Sequence, residues 1–196
     1  MDYKLNGSLR HYVLALMLLE VQWRPVFPAP TPANTNWDLD STKLLTSLLI
    51  LEANELLEEY MGFHGPVDVS VPDDVPDSSM SGVTIIEKLQ DIYIKGVLFY
   101  LHISKVEEYQ KGSWSDSKSV LGPLSRVKGN LVNHVAKIKT MLINIDSLPT
   151  TPAPPQWSHD LDYAKRVYGG GVIVALKDWL PQVLQALAEA SKVSDK

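Results

Sequence analysis

The stretch 163-YAKRVYGGGVIVALKDWLP-181 can be read in two ways, and each gives a different fold. Three consecutive glycines, Gly169 to Gly171, separate a basic amphipathic segment from an apolar run. As a phosphate loop they would open a nucleotide-binding α/β domain. As part of a helix they belong to a bundle. The pattern is neither G-x-G-x-x-G nor a P-loop, since no Lys-Ser/Thr follows. A dinucleotide fingerprint also needs a strand ahead of it, and here Ala164, Val167 and Tyr168 keep helical spacing. The helical reading is preferred, although three glycines inside a helix cost about 3 kcal/mol relative to alanine. A helix from about Asp160 to Ala190 then carries Val172, Leu176, Trp179, Val183 and Leu187 on one face, and Pro181 is expected to kink it.

Working outward, helical periodicity recurs in three more stretches. The first, 38-DLDSTKLLTSLLILEANELLEEYM-61, is predicted to be capped by Asp40 or Ser41 and ended by Gly62. Leu45, Leu49, Ala53, Leu56 and Tyr60 form its main apolar stripe. Leu44, Leu48 and Leu51 lie on a second face beside Glu52, Glu55 and Glu58, and a second apolar face needs a partner or a covering loop. In 83-VTIIEKLQDIYIKGVLFYLHISKVEEYQK-111, Ile85, Leu89, Ile92, Gly96, Phe99, Ile103 and Val106 alternate steps of four and three, the spacing of a bundle seam. In 123-PLSRVKGNLVNHVAKIKTMLINI-145, Leu124, Val127, Leu131, Val135, Ile138, Leu142 and Ile145 repeat those steps, and Pro123 is placed in the first turn. No period-2 run is bounded by hairpin turns; 67-VDVSV-71 alternates but is isolated between Pro66 and Pro72 and reads as extended loop.

Linker lengths order these helices. The first helix, about 22 residues, is about 33 Å long. The linker Gly62–Ser79 reaches about 55 Å when extended, enough to return the chain to its starting end. By contrast, 111-KGSWSDS-117 reaches only about 20 Å and must reverse tightly. The linker 146-DSLPTTPAPPQWSH-159 again reaches about 45 Å. Long, short, long predicts an all-α four-helix bundle, up-up-down-down with two long crossover loops, of the long-chain cytokine type. An up-down-up-down bundle needs short loops only.

The chain has 196 residues, a net charge of -5 and no cysteine. The length suits one domain with a leader or tail, and a domain of this size needs no disulfide or metal to build a core. Disulfides, thiolate metal sites and a cysteine nucleophile are excluded. No dense Lys/Arg cluster marks a nucleic-acid footprint. Lys4, Arg10 and His11 precede a short apolar run, Tyr12–Leu19, followed by a proline-rich stretch with Ala33 as a cleavage position. Residues 1-33 therefore read as a signal peptide and leader, and 38-192 as the four-helix domain. The apolar run is too short to span a membrane, so no membrane insertion is expected.

Chemistry is sparse. His11, His64, His102, His134 and His159 include no i, i+3 or i+4 pair, so no local metal pair forms. His102 and His134 read as polar-face or partly buried helix residues. No Glu-x-x-His and no G-x-S-x-G is present. No catalytic residue, metal or cofactor is predicted.

Two segments resemble the cardiotrophins, ciliary neurotrophic factor and leukaemia inhibitory factor, of the interleukin-6-type cytokines. The first is 53-ANELLEEYMGFHG-65, similar to the Leu-Leu-x-x-Tyr and following Gly that close helix A in that family. The second is the stretch quoted above, where Tyr163, Arg166, Gly169, Val172, Trp179 and Leu180 match a Phe-x-x-Lys, Gly, Val and aromatic-Leu pattern. The resemblance is strong over about 30 residues; elsewhere only the order of helices and loops matches. It implies a secreted, non-enzymatic, monomeric cytokine that assembles glycoprotein-130-type and leukaemia-inhibitory-factor-receptor-type chains, with an alpha receptor left open. Carried over by position, Tyr163 and Arg166 become the leukaemia-inhibitory-factor-receptor-type contact. They depart from the motif, Tyr for Phe and Arg for Lys, which leaves the identity of the receptor open. Leu44, Leu48 and Leu51 of the first helix, with Arg126 and Lys137 of the third, become candidate contacts for the shared chain. Arg126, Lys128, Lys137 and Lys139 read as a solvated face able to steer an acidic receptor surface. The alternative is an intracellular helical-bundle adaptor, for which the missing cysteines speak.

Overall fold

A computed structural model describes residues 35–66, 71–114 and 117–194. The predicted leader and most of 67-VDVSV-71 lie outside the described residues. Four helices account for nearly all the regular structure: α1 (Thr35–His64), α2 (Ile85–Ser113), α3 (Lys118–Asn144) and α4 (Asp162–Ser194). The described residues contain no strand. The architecture is all-helical and consistent with a four-helix bundle. The helices run from Thr35 to Ser194.

Several helix ends differ from their sequence signals. α1 begins at Thr35, so Asp40 and Ser41 are interior residues rather than caps. The hydroxyls of Ser41 and Thr42 both donate to the Asp38 carbonyl, at 3.0 and 2.6 Å, the back-bonding of residues already inside a helix. Nor does Gly62 end α1; the helix runs to His64 and stops at Gly65, whose φ of +77° suits a glycine C-cap. α3 starts at Lys118, which moves Pro123 out of the first turn and into the helix. α2 starts on a full capping box: Glu87 N–H donates to Thr84 Oγ1 at 3.2 Å, and the Glu87 carboxylate accepts from Thr84 N–H at 2.9 Å.

The seam residues predicted for α2, α3 and α4 form the core, except for half-buried Ile85 and exposed Ile145. On α1 the stripe is Thr42, Thr46, Leu49, Ala53, Leu56 and Tyr60, and Leu45 is only half-buried. Two threonines replace the expected leucine because their hydroxyls are satisfied locally. The Thr46 hydroxyl donates to the Thr42 carbonyl at 2.8 Å. Its oxygen must then accept from His134 Nε2–H, 3.0 Å away. His134 is therefore the Nε2–H tautomer, fully buried, with Nδ1 unpartnered among the described residues. Both His102 and His134 are fully buried, beyond the polar-face or partly buried positions expected of them, and burial lowers the pKa of each to about 4.

α1 and α2 each pack against both α3 and α4, while the consecutive pairs α1–α2 and α3–α4 do not pack together. Polar pairs tie specific ends. Lys43, early in α1, reaches Ser191 late in α4, and Tyr60, late in α1, reaches the Arg166 carbonyl early in α4. Lys137, late in α3, donates to Ser41, and Arg126, early in α3, pairs with Glu55. Lys88, at the start of α2, pairs with Glu189 near the end of α4.

Both long linkers lie against α2. From the first, Asp77 and the Ser79 carbonyl receive Lys95 Nζ at 2.8 and 2.7 Å. From the second, Gln90 binds Ser147 and the Leu148 carbonyl, and His102 and Tyr109 meet Trp157 and His159. Tyr93, Val97 and Leu101, off the α2 seam, are consequently buried. The outer surfaces of α1, α3 and α4 are left to solvent at their exposed positions.

Candidate functional site

α4 is continuous through the glycine triplet. A Cβ on Gly169 would lie 2.9 Å from Tyr60 Cζ, 3.3 Å from Cε2, and closer still to the phenolic oxygen. The missing side chain is what lets the fully buried Tyr60 cross from α1 and donate to the Arg166 carbonyl at 2.9 Å. Burial pushes the Tyr60 phenol well above its ordinary pKa, with the nearby Arg166 charge acting against that, so it remains a neutral donor. Gly170 and Gly171 are also buried, and nothing among the described residues explains them.

Arg166 links α4 to α1 at this end of the bundle. Its Nη1 donates to the His64 carbonyl at 3.3 Å, satisfying one of the last carbonyls of α1. The guanidinium carbon sits 5.3 Å from the ring centre of Tyr163, a cation–π distance. The Arg166 Nε–H is buried without a partner among the described residues. Tyr163 itself is 62% exposed. The predicted pair is thus brought together, with an aromatic ring displayed to solvent over an arginine that is anchored from below.

Residues that were not predicted as site members build the floor. His64 Nε2 lies 3.0 Å from Gln110 Oε1, and its ring packs against Tyr60, Phe63 and Trp114 at 4.5 to 4.8 Å between centroids. Burial lowers its pKa; the Gln110 bond opposes this, and the Arg166 charge adds to it. A second aromatic layer follows: His102 Nδ1 is 2.7 Å from Tyr168 Oη, and the His159 ring is 4.3 Å from that of Tyr168. The hydrogen bonds among these groups join positions 46 to 106 residues apart, so no local signal could have revealed them.

The second predicted group lies elsewhere, on α1 and α3. Leu44, Leu48 and Leu51 are 74%, 44% and 68% exposed along one face of α1. Arg126 pairs with Glu55 at 2.6 Å, Asn130 bonds Glu52 at 2.8 Å, and Lys137 donates to Ser41 at 2.9 Å. The cations of α3 therefore stitch the α1–α3 seam beside the exposed leucines. Lys128 is drawn inward, where it shares the Glu107 carboxylate with Lys111.

Other sites are modest. A cavity of about 100 Å³ at the opposite end of the bundle is lined by Leu39, Leu89, Met141, Ile145 and Ala190, with Asp38 and Asn144 its polar members. Among the described residues no cluster of His, Asp or Glu is placed to hold a metal, and no helix is long and apolar enough to cross a membrane. No family model matches the chain, and no curated protein matches it.

Proposed function

We propose that the protein is a secreted cytokine of the cardiotrophin group, a monomer that assembles glycoprotein-130-type and leukaemia-inhibitory-factor-receptor-type chains, with Tyr163 and Arg166 as one contact. One observation carries the reading. The two segments that resemble the family, residues 53–65 and 163–180, meet in space: Tyr60 and His64 of the first hold Arg166 of the second, and Gly169 makes the room. An exposed aromatic over a fixed cation is the type of residue pair that dominates interfaces. The end-to-end pairs along the helices support the up-up-down-down order with two crossover loops. Leu44, Leu48 and Leu51, flanked by Arg126 and Lys137, serve as the contact for the shared chain. Their exposure, at 74%, 44% and 68%, supports this, since apolar faces of this kind mark interaction sites.

Capture on immobilised receptor ectodomains of both types tests the assignment. Wild type is expected to bind, and Tyr163→Ala to lose at least tenfold in affinity at unchanged stability, because that ring supports no core contact. Arg166→Ala is expected to lose both binding and stability. Wild-type affinity in Tyr163→Ala and Arg166→Ala would refute the site, and failure of wild type to bind any ectodomain would refute the family. The absence of cysteine favours the alternative, an adaptor retained inside the cell. Export from animal cells separates the two.

A further inference from the structure

The second long linker, 147-SLPTTPAPPQW-157, crosses α2 without helix, strand or turn. Its burial repeats every third residue: Pro149, Pro152 and Pro155 are half-buried, while Thr150, Thr151, Ala153 and Pro154 are exposed. A period of three is that of a polyproline-II helix laid down along one edge. Gln90 pins the tract from α2, donating to Ser147 Oγ at 2.9 Å and to the Leu148 carbonyl at 2.7 Å. The Thr150 N–H returns a bond to Gln90 Oε1 at 3.4 Å. Trp157 anchors the far end against His102.

This docking has a chemical consequence. The proline edge faces the bundle, so it is not free for a domain that reads P-x-x-P. The outward edges instead present two adjacent threonine hydroxyls on extended, proline-stiffened backbone. Neither hydroxyl makes a hydrogen bond among the described residues. By contrast, Ser79 Oγ donates to Asp77, and Thr84 caps α2.

We propose that Thr150 and Thr151 are acceptors for O-linked sugar, a hexosamine transferred from a nucleoside-diphosphate hexosamine. Threonine Oγ1 forms the bond to the anomeric carbon as the bond from that carbon to the diphosphate oxygen breaks. The nucleoside diphosphate leaves, and the hydroxyl proton passes to it or to the transferase. Glycosyl transfer needs an extended acceptor with open approach from one side, which helix-borne hydroxyls do not offer. Threonine among prolines is also the composition of O-glycosylated stalks. The inference rests on the secreted reading, because such transfer occurs on proteins under export.

The test is intact mass of the full chain collected from the medium of animal cells, expressed once with its own N-terminus and once behind an unrelated signal sequence. Expected is a ladder of hexosamine-based additions, removed by O-glycosidase and lost in Thr150→Ala/Thr151→Ala. Additions only behind the unrelated signal would uphold the acceptor site and overturn the native secretion reading. Unmodified mass from both, additions that persist in the double variant, or a phosphate mass in their place would each overturn the proposal.

Discussion

Replacing Gly169 by alanine separates the two effects of a helical glycine. Alanine recovers about 1 kcal/mol of helix propensity. Against this, its Cβ would sit 2.9 Å from Tyr60 Cζ and nearer to the hydroxyl. Tyr60 is fully buried between helices. Forced overpacking of this kind costs about 1–3 kcal/mol. Lifting the hydroxyl off the Arg166 carbonyl costs about 1 kcal/mol more. The net expectation for Gly169→Ala is a loss of about 2 kcal/mol. Gly129 is the control. It is an exposed glycine within α3 with nothing within 4 Å of its would-be Cβ, so Gly129→Ala is expected to gain about 1 kcal/mol. The same substitution thus carries opposite signs at two helical sites, readable as shifts in urea midpoint by far-ultraviolet circular dichroism at unchanged slope. In a Tyr60→Leu background the Gly169→Ala penalty is expected to vanish. A Gly169→Ala protein as stable as wild type, or a penalty indifferent to Tyr60→Leu, would refute the account of the gap.

Two further predictions concern buried charge. His102 and His134 are held neutral by burial, with pKa values near 4 against 6.5 when unfolded. The unfolded chain therefore binds more protons than the folded one between pH 6.5 and 4. The stability these groups contribute is fully present above pH 6.5 and is lost as pH falls to about 4, to a maximum of about 3 kcal/mol each. His134→Gln is expected to flatten the fall in unfolding free energy between pH 6.5 and 4.5; an unchanged slope would place its proton elsewhere. The buried Glu107 carboxylate resists burial, which raises its pKa, only because Lys128 and Lys111 together lower it further. Glu107→Gln is expected to destabilise by about 1–3 kcal/mol in the same urea assay, and a neutral result would show the α2–α3 corner held by packing alone.

Periodicity and chain length, both local properties, carried the all-helical class and the four helices. Apolar steps of four and three named most of the core on α2, α3 and α4 because a seam needs only side-chain spacing. On α1 they named Leu49, Ala53, Leu56 and Tyr60 and missed at one end, where Thr42 and Thr46 enter the core in place of Leu45. A hydroxyl that bonds its own helix, and a histidine supplied from α3, make threonine acceptable there. Capping signals failed at Asp40, Gly62 and Pro123 because each helix extends past the residue that local rules place at its end; at His64 the Arg166 guanidinium takes up one of the last α1 carbonyls.

The candidate site divides in the same way. Tyr163 and Arg166 stand three apart on one helix, so their adjacency is a property of the chain itself. That Arg166 is fastened to His64, that Tyr60 fills the space above Gly169, and that a polyproline edge lies on α2 are not. These contacts join residues that are distant in sequence, and only packing brings their donors and acceptors together. The glycine triplet shows the division most directly. Spacing alone made it helical rather than a phosphate loop. Its first residue acquired a reason only when Tyr60 of another helix was found in the place of its side chain.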